Sequence, residues 1–104
     1  MGRTANTQVI ENFARRLRKD FKDAKVFLFG SRARGDDLLE SDYDVLVVSR
    51  QFEGTRFFER TEKMYDYWNE KQALEAFCYT PEELRHKSTQ IGTVREAMKK
   101  GVEA

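Results

Sequence analysis

Two aspartates and a glycine–serine pair are the residues of this chain whose spacing suits chemistry on phosphates. Asp42 and Asp44 lie two positions apart at the start of an apolar run, and ten residues separate them from Gly30-Ser31. Residues two apart on a strand point to the same face, so both carboxylates would share one side of a sheet. Adjacent carboxylates repel each other unless a cation lies between them, and Mg²⁺ is usually held by one or two carboxylates together with substrate phosphates. The spacing therefore predicts a magnesium site that faces a phosphate-binding turn.

The residues around the glycine–serine pair are of types that bind anions. Gly30 ends a run of β-branched and aromatic residues, where the backbone must turn or approach another group closely. Ser31 can begin a short helical turn whose hydroxyl and free N–H groups hold a phosphate oxygen. Arg32 and Arg34 add fixed cations that could meet a triphosphate, although on a charged surface the same arginines would simply be solvated. Each piece alone is common in ordinary turns, and it is their conjunction that indicates a nucleotide site.

The pattern resembles the signature of a known enzyme family. Gly-Ser, ten residues and Asp-x-Asp, written here GSRARGDD…SDYD, is similar to the signature of the nucleotidyltransferases related to DNA polymerase beta, and is close to the form seen in the minimal nucleotidyltransferases. The resemblance implies that Gly30 and Ser31 contact the nucleotide and that Asp42 and Asp44 bind two Mg²⁺ ions. It also implies transfer of a nucleoside monophosphate, with ATP as the expected donor, to an acceptor and release of pyrophosphate. The fold would be a small α/β (α+β) nucleotidyltransferase fold, a mixed sheet of about three to four strands flanked by helices.

The family uses a third carboxylate on a later strand, usually an aspartate, and this chain departs from that pattern. Residues 73–79 form the only later segment that resembles a strand, and Glu75 is its only acid. Alternation places Glu75 on one face with Phe77 and Tyr79. We therefore predict Glu75 as the third catalytic and metal-binding residue; the alternative is an exposed strand residue without a role.

The resemblance also suggests a partner. Stand-alone members similar to this chain are commonly encoded beside a HEPN-domain protein, and such pairs look like toxin–antitoxin systems. The specific expectation is AMP transfer to a tyrosine hydroxyl of that HEPN partner. Two alternatives stay open: a non-catalytic binding module that neutralises a partner by masking it, and a transferase that modifies a small molecule such as an antibiotic.

Periodicity supplies the elements that must position these residues. Apolar residues recur at helical spacing over about 7–21 and 55–70, and residues 25–29, 43–49 and 73–79 have strand character. Thr80, Pro81 and Glu83 form a helix start with a capping box. A second start signal at Thr93–Glu96 and a stop at Gly101 predict a final helix.

Composition limits the function classes. The chain has 104 residues, 36% of them charged, and a formal net charge of +1. That length predicts a single domain over residues 1–104, and the charge balance gives no sign of nucleic-acid binding. The one cysteine, Cys78, excludes an internal disulfide and is expected to be a small buried residue, and the single histidine, His86, is expected on the surface. No secretory or membrane-spanning run is present, so we expect a cytoplasmic protein.

Overall fold

The computed structural model describes residues 5–34, 42–90 and 101–104. Its helices are α1 (Ala5–Leu17), α2 (Ser31–Arg34), α3 (Phe57–Met64) and α4 (Pro81–Gln90). Its strands are β1 (Lys25–Phe29), β2 (Tyr43–Val48), β3 (Leu74–Tyr79) and β4 (Val102–Glu103). The predicted fold class, a small mixed sheet flanked by helices, is confirmed.

Within the described residues the four strands form one sheet in the order β3-β2-β1-β4. β1 runs antiparallel to β2 and to β4, whereas β2 and β3 are parallel. The last residues of β1 and the first residues of β2 and β3 therefore lie at the same end of the sheet. Because the strands that contain Asp44 and Glu75 both begin at this end, the topology brings these two residues together.

One face of the sheet carries the larger core. Helix α1 buries Ile10, Phe13 and Leu17 there, the apolar stripe that the sequence predicts, against strand residues such as Val26 and Val45. Burying such side chains stabilises the fold by roughly 1.5–3 kcal/mol each. The helix ends at Leu17, earlier than the predicted position 21.

The opposite face carries a smaller core beneath α4. Leu46 and Val48 of β2 and Tyr79 of β3 are buried there against Leu84 of α4. Asp44 points to this face because it alternates with the buried Tyr43 and Val45 of the larger core. The candidate site therefore belongs to the face that carries the smaller core.

Helix α3 covers the open edge of β3. The side chains of Arg60, Thr61 and Tyr65 donate hydrogen bonds to the carbonyl oxygens of Cys78, Ala76 and Leu74, respectively. These are alternate carbonyls on the edge of β3 that pairs with no other strand in the described part of the chain. Side chains that satisfy such an edge prevent it from pairing with another chain.

The start of α4 forms as the sequence predicts. The backbone N–H of Thr80 donates to the Glu83 carboxylate, and the N–H of Glu83 donates to the Thr80 hydroxyl, at 2.9 and 3.2 Å. This is the reciprocal capping box. The helix start predicted at Thr93–Glu96 lies outside the described residues, and β4 follows Gly101 without having been predicted.

Two further expectations are confirmed: Cys78 is fully buried, and His86 is exposed. Burial raises the pKa of the Cys78 thiol to about 12. Among the described residues, no helix has the length and apolar character that crossing a bilayer requires.

Candidate active site

The sheet register brings two of the predicted carboxylates side by side. Asp44 of β2 lies opposite Glu75 of the parallel strand β3 and opposite Phe29, the last residue of β1. Neighbouring strands lie about 4.8 Å apart, and residues in register point to the same face. Asp42 immediately precedes β2 and is exposed. The structure thus gathers the acidic residues at one end of the sheet.

The electrostatics of Asp44 show that these carboxylates interact. Burial raises the pKa of Asp44, and repulsion from Glu75 and then Asp42 raises it further, as does a hydrogen bond with Glu75. Crowding of negative charge on a half-buried carboxylate is unfavourable for the isolated protein. A bound cation would relieve it.

Gly30 approaches Asp44 so closely that no side chain fits there. Its φ is +76°, in the left-handed region that glycine tolerates best. A Cβ added to Gly30 would lie 2.5 Å from the Oδ2 atom of Asp44. Both the backbone conformation and the contact therefore require glycine at the point where β1 turns into α2.

Arg32, predicted as a nucleotide contact, is buried and hydrogen bonded within the protein. The residue is only 6% exposed, and its guanidinium donates hydrogen bonds to the Asn6 side chain at 2.9 Å and to the Tyr43 hydroxyl at 3.1 Å. It also lies over the Tyr43 ring, 4.0 Å from the centroid. In this structure Arg32 holds α2 against α1 and β2, and its contact with a triphosphate stays a prediction.

The other two predicted nucleotide contacts, Ser31 and Arg34, lie at the two ends of α2. The predictions concern the Ser31 hydroxyl and the Arg34 guanidinium, and the structure describes only the backbone of these two residues. The backbone of α2 begins directly after Gly30, so the segment starts next to Asp44. Its placement agrees with a phosphate-binding turn without testing the side chains.

Sequence reasoning missed the residues that fix this turn. Asn6 accepts hydrogen bonds from Arg32 and from the Tyr43 hydroxyl, and its own amide donates to the Arg32 carbonyl oxygen at 3.2 Å. Tyr43, the middle residue of Asp-x-Asp, points to the larger core and is buried. Alternation would have revealed the orientation of Tyr43, whereas nothing in the sequence marks Asn6.

An apolar wall borders the carboxylates. The rings of Phe29 and Phe77 meet on the Asp44 face, with centroids 5.8 Å apart. Both rings are partly buried against the smaller core. Phe29 lies opposite Asp44 in the sheet register, so an apolar residue adjoins the carboxylate on the neighbouring strand.

The carboxylates of this site suit a hard divalent cation, although they do not complete its coordination shell by themselves. In the described ranges, no group of three or more His, Cys, Asp or Glu side chains is assembled closely enough to hold a metal ion. Mg²⁺ needs only one or two protein carboxylates when water and substrate phosphates complete its six ligands. Asp44 and Glu75 supply such a pair, and the exposed Asp42 lies two positions from Asp44.

A family model identifies the type of domain. The sequence model of the nucleotidyltransferase domain family matches residues 10–100. A crystal structure from Sulfolobus solfataricus, provisionally assigned as a nucleotidyltransferase, is 26% identical, with 83% of this chain and 84% of that one covered and a TM-score of 0.46. The BolA domain of SufE1 from Arabidopsis thaliana is 20% identical, with 79% and 99% covered and a TM-score of 0.51, a likeness of fold alone. No curated protein matches the sequence.

Proposed function

The chain belongs to the nucleotidyltransferase domain family, and from that premise we propose that it transfers AMP from ATP to a hydroxyl group of an acceptor. The observation that supports this reaction is the position of Asp44, which lies between the Gly30 turn and Glu75 on one face of the sheet. A phosphate-binding turn and a carboxylate pair on one side of a sheet are what the transfer requires.

In the proposed reaction, the acceptor oxygen forms a bond to the α-phosphorus of ATP while the bond from that phosphorus to the bridging oxygen of pyrophosphate breaks. Two Mg²⁺ ions would supply activation of the acceptor oxygen and stabilisation of the leaving group. Asp42 and Asp44 would hold the ions, and Glu75 would ligate on the acceptor side and receive the acceptor's proton. Ser31 and the first N–H groups of α2 would orient the phosphates for in-line attack.

For the acceptor, we propose a tyrosine hydroxyl of a HEPN-domain toxin, which the modification would silence. The support is the resemblance of the signature to stand-alone transferases of such pairs. The measurement is the intact mass of the HEPN neighbour after incubation with this protein, Mg²⁺ and ATP. An unchanged mass would exclude this acceptor, whereas a gain of one AMP that maps to a tyrosine would support it.

The nucleotide site can be tested before any acceptor is known. We expect calorimetric titration to show ATP binding that depends on Mg²⁺ and that disappears in an Asp42→Asn/Asp44→Asn variant. A Glu59→Gln/Glu62→Gln variant, which loses the same charge on the outer side of α3, should bind as the wild type does. Binding that is equal in both variants would contradict the proposed site.

A second function, masking of a partner without chemistry, has a specific observation in its favour. Phe57 and Phe58 at the start of α3 are 45% and 58% exposed. Exposed aromatic side chains are typical of protein interfaces. The Asp42→Asn/Asp44→Asn variant separates the two functions, because masking would survive the substitutions while transfer would not.

A further inference from the structure

A second site with different chemistry lies on the same sheet face as the carboxylates, at the other end of the strands. It is an open cavity of about 520 Å³. We call it the basic pocket and define it by Lys25, Phe27, Val48, Arg50, Leu84 and Arg85, all of which line it. Its floor is apolar, and its rim carries three cations.

Asp23, the acid among the described lining residues, offsets part of this charge through its interaction with Arg50. Asp23 accepts a hydrogen bond from the Ser49 hydroxyl at 2.6 Å and another from the backbone N–H of Arg50 at 2.8 Å. Its carboxylate is therefore held at the base of the rim. Lys25, in contrast, is exposed and forms no ion pair with any residue of the described ranges. Among the described lining residues, the unpaired ammonium group of Lys25 and the excess of cationic over acidic side chains favour an anionic ligand.

The sheet fixes the distance between the basic pocket and the carboxylates. Asp44 and Val48 lie on one strand, four residues apart, which corresponds to about 13 Å. The partly buried rings of Phe27, Phe29 and Phe77 lie on the same face between the two ends. An extended polypeptide covers the same distance in about four residues.

We propose that the basic pocket docks an acidic segment of the acceptor protein, about four residues from the hydroxyl that receives AMP. An acidic side chain would meet Lys25 and Arg50, and an apolar neighbour would contact Phe27 and Leu84. This inference rests on the proposed function, because it identifies the acceptor as a polypeptide that carries acidic and apolar residues near its tyrosine. Negative charge at one end of the face and positive charge at the other would also fix the direction of the segment.

Peptide binding tests the pocket without catalysis. The probes are two fluorescein-labelled peptides that carry a tyrosine and, four residues away, either Leu-Glu-Glu or Leu-Lys-Lys, each made in both chain directions. Fluorescence anisotropy should show the acidic peptide binding wild-type protein at least about tenfold more tightly than the basic one. A Lys25→Glu/Arg50→Glu variant should reverse the preference.

Two controls make the result specific. The neutral Lys25→Gln/Arg50→Gln variant should lose the preference while its melting temperature stays close to that of the wild type. An Arg56→Glu/Lys63→Glu variant makes the same charge reversal on α3, outside the pocket, and should keep the wild-type preference. Equal effects of the two reversals, or no effect of the pocket variants, would overturn the proposal.

The result is separable from the test of the proposed function. If wild-type protein binds ATP with Mg²⁺ but shows no preference for the acidic peptide, the docking inference is wrong and the transferase proposal stands. If the preference follows Lys25 and Arg50 but no ATP binds, the pocket still recognises an acidic segment, and transfer is the part that fails.

Discussion

At the scale of single residues, Gly30 has the most direct link to the proposed chemistry, because its missing side chain leaves room for the Asp44 carboxylate. We expect Gly30→Ala to abolish Mg²⁺-dependent ATP binding, since the new Cβ would displace Oδ2 of Asp44. The left-handed backbone should also cost about 1–2 kcal/mol of stability. Calorimetry for binding and chemical denaturation for stability measure the two effects.

Gly54 provides a matched control. Its φ is +81°, close to that of Gly30, but an added Cβ would meet nothing within 4 Å. Gly54→Ala should therefore lose a similar amount of stability and keep ATP binding. If both variants bind ATP equally well, the contact between Gly30 and Asp44 is not what the site requires.

The raised pKa of Asp44 predicts a conflict between stability and function. Burial and the neighbouring acids make the ionised form costly in the folded protein, so this carboxylate increasingly destabilises the fold as pH rises from 3.8 to its raised pKa, and does so fully above it. Below its ordinary value of 3.8 the carboxyl is protonated in both states and has no such effect. We therefore expect Asp44→Asn to melt at a higher temperature than the wild type at pH 7, with the difference vanishing near pH 3.

Thermal unfolding across that pH range, without divalent ions, measures the effect. Glu62→Gln on the exposed side of α3 is the control and should show no pH-dependent gain. A lower melting temperature for Asp44→Asn at pH 7 would contradict the electrostatic account. Residues placed for function at the expense of stability are common in active sites.

The sequence predicted part of the site at this scale, because spacing and alternation depend only on the chain itself. Asp44 and Glu75 share a face as alternation requires. The burial of Arg32 could not be predicted in this way. An arginine in a charged loop usually lies in solvent, and Arg32 is buried because it bonds to Asn6 and Tyr43, which come from elsewhere in the chain. No local pattern encodes such a pairing.

At the scale of elements, one buried arginine joins α3 to α4. Arg60 is 6% exposed and donates two hydrogen bonds to the Glu83 carboxylate, at 2.6 and 3.1 Å. Glu83 also closes the capping box of α4 through Thr80. The same carboxylate therefore caps one helix and binds another.

Acid should weaken this junction in a defined way. The hydrogen bonds from Arg60 lower the pKa of Glu83 despite partial burial, so the carboxylate stabilises the fold above the ordinary value of 4.5, and the gain is lost as pH falls through the lowered pKa. Glu83 is 44% exposed, so solvent screening moderates the effect. We expect Glu83→Gln to lower the melting temperature at pH 7 and to bring it closer to that of the wild type below pH 4.

Glu82→Gln is the control, because Glu82 lies in the same helical turn, is exposed and forms no ion pair within the described ranges. Melting curves of both variants from pH 3 to 7 make the comparison. If the melting temperatures of the two variants depend on pH equally, the overall charge of α4, and not the bond between Glu83 and Arg60, determines how much stability is lost in acid.

Element boundaries were less predictable than element types. The predicted helix over 55–70 ends at Met64 and continues as a 3₁₀ turn, Tyr65–Tyr67, whose first residue donates from its hydroxyl to the edge of β3. The two-residue strand β4 exists through pairing with β1, with Leu28 opposite Val102. Both outcomes depend on tertiary contacts, which the helical or strand periodicity of a sequence does not reveal.

At the scale of the whole molecule, one sheet face carries opposite charges at its two ends. Asp42, Asp44 and Glu75 lie at one end, and the rim cations of the basic pocket lie at the other. The larger core and α1 lie on the opposite face. The carboxylate face carries the smaller core beneath α4 between its two charged ends, so both faces contribute to stability and the candidate ligand sites lie at the strand ends.

Ligand binding at the acidic end should therefore be measurable as global stability. A ligand that binds only the folded state at 100 times its dissociation constant adds about 2.7 kcal/mol. In a domain of about this length each kcal/mol raises the melting temperature by roughly 4–8 °C. We expect Mg²⁺ with a non-hydrolysable ATP analogue at that concentration to raise it by more than about 10 °C, and the analogue with EDTA to raise it far less.

The variants locate the origin of this shift. Asp42→Asn/Asp44→Asn should melt at the same temperature with and without the ligand pair, because the carboxylates that hold the cation are gone. Lys25→Gln/Arg50→Gln should show the full wild-type shift, because the basic pocket lies at the other end of the strands. If the ligand raises the melting temperature of the carboxylate variant but not that of the pocket variant, the nucleotide binds at the basic end. The roles assigned to the two ends would then have to be reversed.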